Sequence, residues 1–227
     1  MPSKGLYTQT VCVLLTHPAS IHTVEEALRE FKIGERQSAS DQWAFRGESI
    51  TLPFRVEVNG HVTVDTIARA WPDSMGDPSR DPTTFGAWAM SNFGPHTQPG
   101  ALARASEQCW GWEEGKEMPR QHQAFLRIRT SYVLEMADEE APLIPEDYDA
   151  LRELDFITIV ARALLDVPGA LCYFNPNGET LLCTADLDAL LRRQLLSKTL
   201  PLEAWTNIRP LAGGARGRSF VEGLARR

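Results

Sequence analysis

Tryptophan, proline and glycine are concentrated in one stretch, from Ala70 to Trp112, and this stretch limits the folds open to the chain. Four of the six tryptophans lie there, at positions 71, 88, 110 and 112. A disordered linker would be poor in such large apolar rings. We therefore expect an ordered, partly buried segment of loops and a helix, which at this length either carries function or covers a core.

The residues before this Trp-rich segment predict strands around one helix. The apolar run 11–16 is typical of a strand buried on both faces. Apolar positions at helical spacing after Thr23 predict a helix over 23–32 that ends at Gly34. Residues 43–46, 50–58 and 61–65 have strand patterns, and Asn59-Gly60 predicts a hairpin between the last two.

The residues from Pro99 onward predict a second series of elements. We expect a helix over 101–112, a long strand over 123–134, an acidic loop over 136–145 and a helix that opens at Pro145 and runs to Leu165. Strands 170–174 and 180–183 flank a turn at 175–178. A helix over 184–196 capped by Thr184 and a strand over 205–209 complete the prediction.

Strand, helix and strand pair occur in this order twice, over 11–65 and 123–183. The pattern predicts an α+β fold: a mixed, mainly antiparallel sheet with helices packed on one face, which allows two similar β-α-β-β halves joined by 66–122. We expect one domain over 1–206. Residues 207–227 hold five arginines against one glutamate. We expect this basic end to form a flexible tail.

The formal net charge is -7 and the pI is near 5.3. This acidity argues against direct binding to nucleic acid or to an anionic membrane surface, and it suits a basic partner. The first ten residues lack the apolar core of a signal peptide, and no run approaches the roughly 18 apolar residues of a membrane span. We therefore expect a cytoplasmic protein. Cys12, Cys109, Cys172 and Cys183 are widely spaced, which favours reduced thiols.

The sequence contains no motif that assigns catalysis, and we name no catalytic residue, no metal ligand and no cofactor. Asp73 and Asp77 could form a carboxylate pair, but their neighbouring prolines favour turn roles. Arg104 follows a helix start beside Glu107, which favours a salt bridge or a loop-anchoring guanidinium over an anion clamp. The tryptophans could stack a base or sugar, but without a basic groove core packing is the favoured interpretation.

Runs of acidic residues are the remaining surface feature. A solvated loop explains them, and so does a negative patch that attracts a basic partner. On the second interpretation the partner-binding residues are Glu113, Glu114, Asp138, Glu139, Glu140, Glu146, Asp147 and Asp149.

Several motifs between Val11 and Arg209 resemble a bacterial family known only as a domain of unknown function. They are Trp71-Pro72-Asp73-x-Met75-Gly76-Asp77, Asn92-Phe93-Gly94-Pro95, Pro99-Gly100-x-Leu102-x-Arg104-Ala105, His122-Gln123-Ala124-Phe125 and Cys172-Tyr173-Phe174-Asn175-Pro176-Asn177-Gly178. Similar members occur beside toxin and type VI secretion genes. The resemblance therefore implies a non-enzymatic immunity protein that binds and blocks a cognate antibacterial toxin.

Acidity narrows this expectation to a nuclease toxin, because nucleases need positive charge to grip a phosphate backbone. Two alternatives stay open. One is an enzyme or small-molecule binding protein with a pocket formed by Asp73, Asp77, Arg104 and the tryptophans. The other is an adaptor or chaperone that loads an effector onto a secretion machine and binds it without inhibition.

Overall fold

The computed structural model describes residues 7–39, 45–134, 144–211 and 220–223. The strands within these residues are β1 (Gln9–Leu15), β2 (Arg36–Gln37), β3 (Ser49–Pro53), β4 (His61–Ile67), β5 (Ala124–Ser131), β6 (Ala170–Asn175), β7 (Thr180–Leu182), β8 (Ile208–Leu211) and β9 (Phe220–Gly223). The helices are α1 (Ile21–Ala27), α2 (Pro82–Ala89), α3 (Ala101–Glu107), α4 (Ala150–Leu164), α5 (Thr184–Ser197) and α6 (Leu202–Trp205).

Seven strands form one sheet in the order β2-β3-β4-β5-β1-β6-β7. Every pairing in it is antiparallel, so the predicted α+β fold with an antiparallel sheet is confirmed. β1 and β5 lie at the centre, where residues point alternately to the two faces. This explains the continuous apolar run in β1, because neither of its faces meets solvent.

Helices cover both faces of this sheet, and the prediction that they lie on one face is wrong. On the first face, Val11 and Val13 of β1 pack with Ile157 and Val160 of α4 and with Leu187 of α5. The opposite face carries its own apolar cluster, formed with the Trp-rich segment and α2 and α3. Of this second layer, a helix over 101–112 was expected, and α3 ends earlier, at Glu107; α2 was not expected, because its eight residues are too few for a clear helical periodicity.

Buried ionic groups fasten the Trp-rich segment to the second face. Arg127 of β5 is 1% exposed. Its guanidinium donates to Asp65 Oδ2, to the Asn92 carbonyl and to the Phe45 carbonyl at 3.2, 2.8 and 2.8 Å. Because buried charges are tolerated only when they are paired and hydrogen-bonded, these contacts fix the loop carbonyls over the sheet.

Several predicted element boundaries are corrected by the actual caps. α1 begins at Ile21, before the predicted start at 23, because the Ser20 hydroxyl caps it by accepting from the Thr23 N–H. α4 begins at Ala150, because the Asp149 carboxylate caps it by accepting hydrogen bonds from the N–H groups of Leu151 and Arg152. α5 is capped by the Cys183 thiol and not by Thr184.

The hairpin between β3 and β4 is confirmed, with a longer loop than predicted. β3 ends at Pro53, and Val56–Val58 form a turn of 3-10 helix, so the predicted strand 50–58 is too long. Arg55 follows the end of β3, and its buried guanidinium donates hydrogen bonds to Glu57 and Asp147. Asn59 has a φ of 56°, the left-handed conformation that made it a turn signal. Of the predicted strand 43–46, Phe45 lies in a turn, and residues 43–44 lie outside the described residues.

The two predicted halves have the same order of elements, but their hairpins pair with the central strands in different ways. In the first half, β4, the second strand of its hairpin, pairs with β5. In the second half, β6, the first strand of its hairpin, pairs with β1. Each half therefore places its hairpin against the other half's first strand, so that both halves form one sheet.

The C-terminal stretch 207–227 was predicted to be a flexible tail. Within it, Ile208–Leu211 pairs antiparallel with Phe220–Gly223. Residues 212–219 and 224–227 of the predicted tail lie outside the described residues. The predicted strand over 205–209 starts later, because Trp205 ends α6.

Candidate functional site

Two tryptophans of the Trp-rich segment are core residues. Trp71 is buried and lies at the centre of an aromatic cluster, with ring centroids 5.1 Å from Phe93, 5.5 Å from Phe125 and 5.1 Å from Phe174. Trp88 is also buried and contacts Trp71 edge to face at 6.1 Å. Neither ring face is available to stack a base or sugar, so core packing is confirmed for both.

Asp73 and Asp77 have separate structural roles and do not form a carboxylate pair. The two oxygens of Asp73 accept from the N–H groups of Leu102 and Ala103 at 2.7 and 2.8 Å. Asp73 thereby caps α3, whose own N-cap, Gly100, has no side chain to do so. Asp77 accepts from Ser79 in an exposed turn, and hydrogen bonds from the Ser79 hydroxyl and N–H lower the Asp77 pKa.

Arg104 anchors α3 to the turn between β6 and β7. Its Nε and Nη2 donate to Glu179 Oε1 at 2.9 and 2.7 Å, and its Nη1 donates to the Pro99 carbonyl at 2.9 Å. The predicted salt bridge is therefore confirmed, but its partner is Glu179 and not the neighbouring Glu107. All three nitrogens of this guanidinium therefore donate hydrogen bonds within the protein.

A cleft of about 370 Å³ opens between α3 and the loop that precedes β5. Trp71, Leu102 and Pro119 supply apolar surface, and Asp73 and Lys116 supply charge. This volume lies within the range of small-ligand sites. Asp77 and Arg104 are not among its lining residues, so the cleft contains only part of the pocket that the sequence suggested.

His122 lines the same cleft with both ring nitrogens occupied. Nε2 accepts from the Trp71 N–H at 2.8 Å, and Nδ1 donates to the Pro119 carbonyl. Burial lowers the pKa of His122 from its usual 6.5, which favours the neutral ring that this arrangement requires. His122 could act as a general base only by giving up the Trp71 N–H.

Five of the predicted partner-binding residues are described, and they fall into two groups on opposite sides of the sheet. Glu113 and Glu114 are exposed in a 3-10 turn that packs beside α3, on the face with the Trp-rich segment. Glu146, Asp147 and Asp149 precede α4 on the other face. The predicted binding residues Asp138, Glu139 and Glu140 lie outside the described residues.

Two residues of the second group are engaged within the chain. Asp147 forms an ion pair with the buried guanidinium of Arg55. Asp149 caps α4. By contrast, Glu113 and Glu114 have no ion-pair partner among the residues that the structure describes, so they are the acidic pair most available to a partner.

For Trp110 the favoured interpretation of core packing is wrong, and sequence reasoning missed it as a surface feature. Its side chain is 81% exposed, whereas Trp71, Trp88 and Trp205 are buried. It lies between the end of α3 and the acidic 3-10 turn. The signal that could have identified it is its position between Glu107 and Glu113 beside Gly111, because acidic and glycine neighbours give a ring no apolar cover.

Residues 7–39, 45–134, 144–211 and 220–223 contain no cluster of side chains that could bind a metal ion, and their cysteines are not placed for thiol chemistry. No three histidine, cysteine or acidic side chains meet there as a metal site requires. The four cysteines are free, and three are buried. Burial raises the pKa of the Cys12 thiol to about 12, so it stays protonated and unreactive at neutral pH.

Comparisons with known proteins add no relative: no family model, no curated protein and no solved structure matches this chain. None of the described helices is both long and apolar enough to cross a bilayer.

Proposed function

We propose that this chain is a cytoplasmic immunity protein, which binds a secreted antibacterial toxin with a basic surface and blocks it without catalysis. The observation that carries the proposal is the exposed carboxylates of Glu113 and Glu114, which no described residue pairs, on a protein of net charge -7. Charge of this sign attracts a basic partner and raises its association rate.

The polar side chains of the candidate site are engaged within the chain, which supports binding over chemistry. Asp73 caps a helix and Arg104 forms a salt bridge with Glu179. Both ring nitrogens of His122 are hydrogen-bonded to backbone groups. A catalytic base must be free to take a proton from a substrate. The family resemblance, with its toxin and type VI secretion neighbours, supports the same conclusion.

A nuclease is the toxin class that fits best. A nuclease carries positive charge where it holds the phosphate backbone, and an acidic inhibitor can cover that surface. Because such a toxin acts in the cytosol, its inhibitor must be there as well.

Co-expression with the product of the neighbouring gene tests the proposal. We expect the cells to survive, and the two proteins to co-purify as a complex that weakens as salt rises, because screening shortens the range of the attraction. Cell death with no complex would overturn the proposal. A stable complex without protection would identify an adaptor or chaperone instead.

The cleft beside His122 favours a second candidate, a small-molecule binding protein. Its volume of about 370 Å³ and its mix of aromatic and charged lining are the supporting observations. A ligand screen by thermal shift would test it, with Ala103→Trp as the control because Ala103 lines the cleft from an exposed position. A true ligand should raise the Tm of the wild type and not that of the filled variant.

A further inference from the structure

Trp110 is as exposed as any large apolar side chain in the described chain. Leu196 of α5 matches it at 81%. An exposed aliphatic residue is ordinary, but tryptophan is among the residues that most often dominate binding energy at protein interfaces.

The N-terminal side of this loop is held by contacts from distant parts of the chain. The Gln108 side chain accepts a hydrogen bond from Asn207 Nδ2 at 2.8 Å, and the same nitrogen donates to the Glu179 carbonyl at 3.1 Å. The buried Cys109 thiol donates to the Leu181 carbonyl at 3.7 Å. Residues on both β7 and the chain after α6 thus fix the backbone just before Trp110.

The C-terminal side is held by packing. Trp112 packs against the apolar cluster on the second face of the sheet. Gly115 lies so close to Cys109 that an added Cβ would come within 2.4 Å of its sulfur. Trp110 is therefore presented on a loop that is held on both sides, and a loop held in place before binding loses less entropy when it binds.

The charges around Trp110 indicate which partner it suits. Glu107, Glu113 and Glu114 are exposed within four residues of it. The exposed leucines of α5, Leu195 and Leu196, instead lie between Arg192 and Lys198, while Arg193 is paired with Glu203. A basic partner is therefore attracted to the Trp110 loop and repelled from the exposed end of α5.

We propose that Trp110 is the anchor of the toxin interface: its indole enters an apolar pocket of the toxin while Glu113 and Glu114 face the basic residues around that pocket. This inference rests on the proposed function. It adds the binding surface and the chemistry of the partner, namely a pocket lined by apolar groups with lysine or arginine at its rim, where a cation can also lie over the indole face.

Titration calorimetry with the purified product of the neighbouring gene tests the anchor. Trp110→Ala should weaken binding at least about 30-fold, the loss typical of an interface hot spot. Leu196→Ala is the matched control, because it removes an equally exposed side chain from the other face, and it should leave the affinity unchanged. The Tm of both variants should equal that of the wild type, since neither side chain is buried.

The outcomes separate the two proposals. If the wild type binds and protects cells but Trp110→Ala binds within threefold of it, the anchor is wrong and the immunity function stands. Equal weakening by Trp110→Ala and Leu196→Ala would also overturn the anchor. If the wild type itself does not bind, the proposed function fails and the anchor fails with it.

Discussion

Asp65 and Arg127 face each other across β4 and β5 as register partners, and the Asp65 carboxylate accepts from Arg127 Nε at 3.2 Å. Arg129 Nη2 donates to the same oxygen at 2.7 Å, so one buried carboxylate serves two buried guanidiniums. Burial alone would raise the pKa of Asp65, but Arg129 and Arg127 together outweigh it and lower that pKa.

Asp65→Asn should destabilise the protein by about 3–5 kcal/mol, because it leaves both guanidiniums buried without a counter-charge. Urea unfolding at pH 7 measures the change. Asp166→Asn is the control, since Asp166 is exposed and its loss leaves Arg162 paired with Asp188. We expect that control to change the free energy of unfolding by less than about 1 kcal/mol. A similar small effect for Asp65→Asn would show that other groups compensate the guanidiniums.

Glu153 should make the protein less stable as the pH rises. It is fully buried in α4, where it accepts from Thr8 Oγ1 at 2.9 Å and from the Tyr148 hydroxyl at 3.0 Å. Burial raises its pKa above 4.5, although these hydrogen bonds and the charge of Arg55 oppose the shift. The folded state therefore holds the proton more tightly than the unfolded state, and this stabilisation is lost as the pH rises through the folded pKa.

Glu153→Gln isolates this effect, because a neutral amide does not titrate. The free energy of unfolding of the variant minus that of the wild type should grow as the pH rises from about 4.5, by at most about 1.4 kcal/mol per pH unit for one proton. Taking the difference cancels other titrating groups, including His122, whose lowered pKa acts in the opposite sense. A difference that is constant between pH 4 and 7 would contradict the assignment.

Asp73→Asn and Asp77→Asn distinguish structural roles from catalytic ones. Asp73→Asn should cost about 1–2 kcal/mol, because the amide nitrogen would face a backbone N–H at the start of α3. That corresponds to a fall in Tm of roughly 2–8 °C for a chain of this size. Asp77→Asn, in an exposed turn, should leave the Tm unchanged. Unaltered Tm values for both variants, with loss of an activity, would favour the enzyme alternative.

Local signals in the sequence predicted most of the sheet, because each is read over a few residues. The apolar run of β1 and the Asn59-Gly60 turn reflect local packing and backbone conformation, and both are found in the structure. The starts of α1 and α4 were misplaced because several residues near each helix start can cap it, and tertiary contacts choose among them. Which hairpin joins which central strand is a long-range property with no local signal.

The candidate site was harder to predict, since exposure is decided by the whole fold. Trp71 and Trp110 both lie in the Trp-rich segment, yet one is at the centre of an aromatic cluster and the other is exposed. The acidic residues were all recognised, but pairing with the distant Arg55 removes Asp147 from the free surface. The sequence patterns predicted which residues carry negative charge, but not which of them are free to contact a partner.

Gly115→Ala should disturb the loop that presents Trp110, because its added Cβ would lie 2.4 Å from Cys109 Sγ and 2.7 Å from Trp112 Cε3. Overpacking of this kind costs about 1–3 kcal/mol. Gly111→Ala is the matched control, because nothing lies within 4 Å of its added Cβ.

The two glycine variants are compared by Tm and by thiol labelling of Cys109, read by mass spectrometry. Burial raises the pKa of the Cys109 thiol, so labelling should be slow in the wild type. Gly115→Ala should lower the Tm and speed labelling, and, if Trp110 is the anchor, it should weaken toxin binding too. Gly111→Ala should change none of these. Wild-type labelling and binding in Gly115→Ala would mean that the loop adapts freely, so that Trp110 is not held in place before it binds.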